Sequence, residues 1–535
     1  MLVKPWAALL VCFPLLGGSP LRTDGQRLRV KDGRLLLHVS RYVHFGDGTT
    51  GVEPLESAAA VHSAVIHAAR AWSRTEKSAL SVEVEFTDNT QAGLDGENVV
   101  TFNDPAPYDS GLCDRETYVA CTLISFTPGS GEILAVSIAF NPYMRHSAAG
   151  LPEAHDIGIV MMHEIGHAIG LDHSPVMSSV MAPFVEVAGG KPDGRFVPRV
   201  LSRDDILSAA GIYPHPDLVV SRVEGRVHVD EAPAAGVHVL AMDNAGAVVH
   251  GTLTGDDGGY TLLLEPGEYR IVAEPLDGPV FPHSFTQPPP ATPVFRTVFW
   301  PHPVSLLPGE TRGDLSFRVA SRPSSNLESV GIIEGGTYLG YARILLARGR
   351  DYTLGITRTP FEGTPVLEVT HPGVKLAGEP RASTRAPQLV RQQMQIPSDA
   401  APGSWSVVYR DEHGDSLLAG SFVIVQAPEV ESVADAVTLA PAESFAAGQL
   451  VAIRGREFAL VERVAEQVRD EIAWPSQLDG IAVRIGGRFA ALRYVSPEEI
   501  VAEIPAGLSG DTVDLVVITG PQSESVPVSL KLATP

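Results

Sequence analysis

Residues 163–181 read HEIGHAIGLDHSPVMSSVM, with histidines at 163, 167 and 173, a glutamate at 164 and a glycine at 170. On a helix, residues i and i+4 share a face, so His163 and His167 can present two imidazoles to one metal ion. Glu164 follows about 100° round the axis, which sets its carboxylate beside the metal's open position rather than on the metal. Gly170 permits a left-handed exit from the helix, and that turn can return His173 as a third nitrogen ligand. Three protein ligands and one open position are what a catalytic zinc needs, whereas structural zinc sites are closed by four. The chemistry expected is amide hydrolysis by activated water. Zinc lowers the pKa of bound water towards about 7 and polarises a carbonyl, while Glu164 takes the proton and passes it to the leaving amine. With 17 histidines in the chain, the five-residue pattern arises by chance on the order of once in ten thousand such sequences.

The elements that must hold these residues can be read around them. A helix is expected from near Asp156 through the two histidines. Upstream, PLESAAAVHSAVIHAARAW (54–72) puts Ala58, Val61, Val65, Ala68 and Trp72 on one helical stripe, with Pro54 suited to the first turn. His62 and His67 lie on that helix five apart, off a common face, and read as ordinary helix residues. GRLLLHVSRYVHF, SVEVEF, NVVTF and ILAVSIAF read as strands. With a final helical turn near Arg203 to Ala210, these make an α/β unit ending around Pro214.

From residue 218 the pattern changes to short β-rich runs between Gly, Pro and Asp turns. Hairpin turns are expected at Asn244-Ala245-Gly246 and Asp257-Gly258, and TQPPPATP is a proline-rich loop or linker. Antiparallel sandwiches suit this spacing. The expected fold is multidomain: an α/β unit over residues 34–214, then three all-β, Ig-like sandwich domains over 219–320, 323–427 and 432–535.

A chain of 535 residues with a formal charge of −23 exceeds one core, and its acidity argues against nucleic acid as a partner. MLVKPWAALLVCFPLLGGSP has the layout of a secretory signal peptide over residues 1–20: a lysine, an apolar run, then small residues. Val11 stands where lipidation of Cys12 would want a small residue. No later stretch reads as a transmembrane helix. Past the signal, Cys113 and Cys121 are the remaining cysteines; an oxidising compartment favours one disulfide, with two free thiols as the alternative.

HEIGHAIGLDHS followed by Met181 resembles the metzincin metallopeptidases, in which the long zinc motif precedes a Met-turn. Ser174, VMAP at 180–183 and LSRDDILSAAGIY at 201–213 are similar to matrixins within that clan. The resemblance spans roughly residues 34–214. It implies a metzincin-type fold and a secreted, bacterial-type zinc endopeptidase acting on protein or peptide substrates. It also implies His163, His167 and His173 as ligands, Glu164 as base, and Met181 as an apolar floor under the metal. Three departures stand out. No cysteine-bearing propeptide precedes the unit, no segment for a second, structural zinc is recognisable, and Pro183-Phe184-Val185 stands where many matrixins carry a Pro-x-Tyr pocket wall. Residues 219–320 resemble a carboxypeptidase regulatory-like sandwich, and residues 432–535 an IPT/TIG-like domain of secreted bacterial proteins. These modules are candidates for cell-surface or extracellular-matrix contact.

Other features carry less. Asp95, Glu97, Asn98 and Asp104 are candidates for calcium, while Asp256 and Asp257 read more simply as part of a hairpin turn. Arg312-Gly313-Asp314 spells an adhesion tripeptide that is common by chance. The rival reading is a catalytically silent surface-binding or adhesin-like protein that uses its β modules for protein or glycan contact.

Overall fold

The computed structural model describes residues 11–12, 20–23, 25–43, 58–94, 96–148, 154–183, 200–285, 287–289, 294–340, 344–358, 365–382, 386–425, 428–459, 463–465, 474–478, 481–520 and 523–533. Of the sequence expectations, Phe184, Val185, Asp95 and most of the signal segment lie outside the described residues.

The first unit is built on a seven-stranded sheet. Its main strands are β1 (Arg34–Ser40), β2 (Ser81–Thr87), β3 (Val99–Thr101), β4 (Ala120–Phe126) and β5 (Glu132–Phe140), with α1 (Ala58–Ser73) between the first two. The order across the sheet is β4-β5-β3-β1-β2. The pairs β1–β2, β1–β3 and β3–β5 are parallel, whereas β4 runs antiparallel to β5. Val11–Cys12 pairs with the outer side of β4.

The strand β4 is absent from the expectations set out above. All of its residues are buried, so ACTLISF has none of the in–out alternation that marks a half-covered strand. The strand β1 is shorter than its apolar run suggested and ends at Ser40. Cys121 of β4 is joined to Cys113 by a disulfide, which ties the preceding loop to the sheet.

Two helices follow the sheet, α2 (Ile157–Ala168) and α3 (Arg203–Ile212). Asp156 starts α2 by accepting a hydrogen bond from the Ile159 amide at 2.9 Å. Because α2 is apolar almost all round, it belongs inside the unit rather than on its surface, and nearly all of it is buried. The indole of Trp72 on α1 donates to the Met162 carbonyl of α2 at 2.8 Å. Trp72, Phe102, Phe140, Ile165 and Met181 share one apolar cluster. Ser202 caps α3, in a reciprocal box with Asp205.

The remaining described residues are mostly strand. Among them, six further sheets of four or five strands fall into pairs along the chain. The first pair contains β6 (Ser221–Val229), β7 (His238–Asp243), β8 (Val248–Leu253), β9 (Gly259–Leu264) and β10 (Gly267–Glu274). The second pair draws its strands from residues 327–425 and the third from 429–531. Each pair has its own apolar cluster.

The joints between these parts bear on the site. Val176 clusters with Leu240 and Val272 of the first β module and with Val408 and Ala419 of the second. Met177 lies in the second module's own core, and its amide donates to the Ala419 carbonyl at 2.9 Å. The loop between His173 and Met181 is therefore shared by three bodies.

Candidate metal centre

Helix α2 carries His163, Glu164 and His167, and the chain then leaves it at Gly170, whose φ is +95°. A β-carbon on Gly170 would fall 2.3 Å from the Leu28 carbonyl oxygen, so both the left-handed turn and the close approach require glycine. Leu21 reinforces the turn, its amide donating to the Gly170 carbonyl at 2.9 Å. The chain then returns His173 to the helix.

The three imidazoles converge. The Nε2 atom of His163 lies 3.1 Å from that of His167 and 3.2 Å from that of His173. Each Nδ1 faces a backbone carbonyl: Val180 at 2.7 Å for His163, Leu171 at 2.9 Å for His167 and Ser284 at 2.7 Å for His173. A carbonyl only accepts, so each Nδ1 carries the proton, and each Nε2 lone pair is left for the common centre. Burial keeps the rings neutral: it holds His163 down at about 4 and His167 at about 3, and lowers His173 well below the usual value.

Glu164 is 1% exposed. Burial raises its carboxyl to about 7, with a hydrogen bond from Thr122 opposing the shift. The Thr122 hydroxyl, on β4, donates to Oε2 at 2.5 Å. The other oxygen, Oε1, is buried without a hydrogen-bond partner. A carboxylate oxygen in that state is costly unless another group completes it. Three neutral nitrogen donors within 4.8 Å of one another, with an orphaned carboxylate oxygen on the residue that follows His163, suit the zinc expected from the sequence.

Met181 is fully buried, with its sulfur against α2 at Gly166. Its carbonyl accepts from the Ser174 amide at 2.9 Å, which closes the loop on itself. Asp205 of α3 braces the same loop. It accepts from the Val180 amide at 3.0 Å and from the Ser179 hydroxyl. Burial raises the Asp205 carboxyl, and the neighbouring Asp204 charge adds to the shift. Thr122, Gly166, Asp205 and Ser284 were not singled out from the sequence. The acidic pair after Ser202 was the one available signal, as a capping box, and it does not tell which loop the carboxylate braces.

The remaining candidates fall elsewhere. Pro183 is half-buried just past the Met181 loop. Asn98 uses its amide on Leu36 and Val136, and the Asp104 carboxylate accepts from the Ala92 and Ala106 amides. Glu97 accepts from Thr87 and Asn89. Among the described residues, the histidine trio is the one group of three or more such side chains placed to hold an ion. Asp257 serves its turn, accepting from Gly259 and pairing with Arg226. His62 is buried on α1, its Nε2 donating to the Ser40 carbonyl.

Residues 51–214 match the family model of the matrixin peptidases. A second match, to the IPT/TIG domain, covers residues 436–531. The matrixin match encloses α2, the His173 turn, the Met181 loop and α3. No curated protein matches the chain. Solved structures similar to it include a candidate phosphatase from Bacteroides thetaiotaomicron, at 15% identity over 19% of this chain and 17% of that one, with a TM-score of 0.13. Another is SGBP-B of the Bacteroides ovatus mixed-linkage glucan utilization locus, solved with a mixed-linkage heptasaccharide, at 13% identity over 56% and 60%, TM-score 0.15. A third is BcpA, the major pilin subunit of Bacillus cereus, at 10% identity over 59% and 95%, TM-score 0.13. The chain spans less than two thirds of the first two, and likenesses at these scores carry no argument about function. No helix among the described residues is long and apolar enough to cross a membrane.

Proposed function

We propose that the chain is a zinc-dependent metalloendopeptidase that hydrolyses protein or peptide substrates, secreted or held at a bacterial-type cell surface. The observation that carries this reading is the convergence of three Nε2 atoms whose Nδ1 partners are all backbone carbonyls. His163, His167 and His173 would hold the metal. When bound, zinc supplies Lewis acidity to a water molecule and to the scissile carbonyl. Glu164 has one oxygen fixed by Thr122 and one without a partner, so Oε1 can take the water's proton and return it to the leaving amine. Met181 supports α2 from below through Gly166. The β modules are proposed as contacts to a surface or matrix.

The test is cleavage of denatured casein by the full-length protein before and after chelation, with metal analysis of the same sample. One zinc per chain and chelator-sensitive cleavage are expected, and cleavage should be lost in Glu164→Ala. Equal cleavage by wild type and Glu164→Ala would refute the mechanism.

One observation favours the rival reading of a silent binding protein. Glu164, His167 and His173 are each no more than 1% exposed, and His163 is 7% exposed. Zinc binding with no cleavage of any protein substrate would decide for the rival.

A further inference from the structure

The hydrogen-bond partners of the three imidazoles differ in origin. Val180 and Leu171 belong to the same unit as the histidines. Ser284 lies 111 residues beyond His173, past β10, in the first β module. Resting on the functional reading above, we propose that Pro282–Ser284, Phe285 and Gln287 of this module form a positioning strap for the third metal ligand. Its Ser284 carbonyl fixes the tautomer and orientation of His173, so the metal centre is completed by a second domain.

Several contacts hold the segment in place. Phe285 is 1% exposed and packs with Leu276 and Val280. Gln287 bridges to the catalytic unit: its Oε1 accepts from the Arg22 amide at 2.9 Å and its Nε2 donates to the Arg22 carbonyl. Its own amide lies 3.4 Å from a carboxylate oxygen of Asp172, whose other oxygen accepts from the His173 amide at 3.1 Å. The residue before the ligand and the carbonyl behind its ring are thus both tied to the same strap.

The module itself is docked firmly enough for such a role. Asp204 of α3 accepts from the Ser174 hydroxyl at 2.6 Å, the His250 ring at 3.0 Å and the Gly251 amide at 2.8 Å, and is buried. Ser174 follows His173 directly, while His250 and Gly251 belong to β8 of the module. A carbonyl moving with a separate, loosely tethered domain could not hold a ligand ring within tenths of an ångström. Partners of this kind typically change metal affinity by about 10- to 100-fold when lost.

The test uses full-length protein and measures zinc affinity by competition with a chromophoric chelator, together with the visible spectrum of the cobalt(II) form. Phe285→Ala loosens the strap from within its module, and Gln287→Ala releases its exposed bridge to Arg22. Phe317→Ala, in the same module's core but in a different apolar cluster from Phe285, controls for loss of module stability. The expected result is a loss of about 10- to 100-fold in zinc affinity for Phe285→Ala and several-fold for Gln287→Ala, with an altered cobalt spectrum. Phe285→Leu should recover most of the affinity, and Phe317→Ala should keep the wild-type value. Wild-type affinity in both strap variants, or an equal loss in Phe317→Ala, would overturn the proposal. A wild-type protein that binds no zinc would instead remove the reading on which it rests.

Discussion

The Met181 sulfur occupies the space that any side chain on Gly166 would need: a β-carbon built there falls 2.2 Å from it. In a free helix, alanine would be favoured over glycine by about 1 kcal/mol. Here that gain is outweighed by overpacking, so Gly166→Ala should destabilise the first unit by about 1–3 kcal/mol. Met181→Ala alone should cost roughly 2–5 kcal/mol through the cavity it leaves. Because the two positions share one space, the double variant should be more stable than the sum of the singles implies. Urea unfolding of all four proteins measures this, and strict additivity would show that the contact is not what excludes a side chain at 166.

Glu164→Gln keeps the shape of the side chain but removes the carboxylate proposed as the base. Peptide cleavage should fall by roughly 10²- to 10⁴-fold, while zinc content per chain stays at the wild-type value. Parallel rate and metal measurements separate the two effects. A variant that loses zinc along with its activity would assign Glu164 to holding the site together rather than to proton transfer.

Asp205 is 1% exposed and accepts from Ser179, Val180 and both the amide and the hydroxyl of Ser202. Asp205→Ala strips half of the α3 capping box and leaves buried donors unmet, at a cost of roughly 2–4 kcal/mol. The Val180 carbonyl receives the His163 Nδ1 proton, so zinc affinity should fall as well, by about tenfold. Calorimetric zinc titration of folded Asp205→Ala is the check. Unchanged affinity would mean that the loop keeps its place without the carboxylate.

Buried His146 and half-buried His155 form a pair, with ring centroids 5.9 Å apart, beside Phe140. Burial lowers both, His146 to about 3 with a further push from His155, and His155 to about 4. Above about pH 6.5 the rings are neutral in folded and unfolded chains alike. Below that, the unfolded chain takes up protons that the folded one refuses until about 4 and 3. Stability should therefore fall with acidification across pH 6.5 to 4, by about 1.4 kcal/mol per pH unit per histidine. Denaturant unfolding at several pH values should show this slope on top of that from the buried metal-centre histidines, and His155→Gln should reduce the total by about 1.4 kcal/mol per pH unit. A slope identical in the variant would acquit the pair.

Much of this molecule was legible along the chain because the interactions concerned are local. Helical spacing puts His163 and His167 on one face, and a glycine at 170 announces a turn after them; both follow from backbone geometry over a few residues. The change after residue 214 from mixed periodicity to short strands and turns was equally open to reading, since it reflects how each segment can bury its apolar side. What failed was the fully buried strand β4, whose uniform burial erases the alternation that would have marked it. With it went Thr122, the partner of Glu164.

Sequence by itself determined which residues could converge on a metal and what chemistry their types allow. Only the tertiary structure decided what holds them: the carbonyl of Val180 braced from α3, the sulfur of Met181 filling the space at Gly166, and the Ser284 carbonyl brought from another domain. TQPPPATP read as a loop or linker, yet its Gln287 joins the strap across His173. The physical reason is the same throughout. A backbone carbonyl or an empty volume carries no residue-type signature, so a partner 111 residues away becomes visible only once the chain has folded around it.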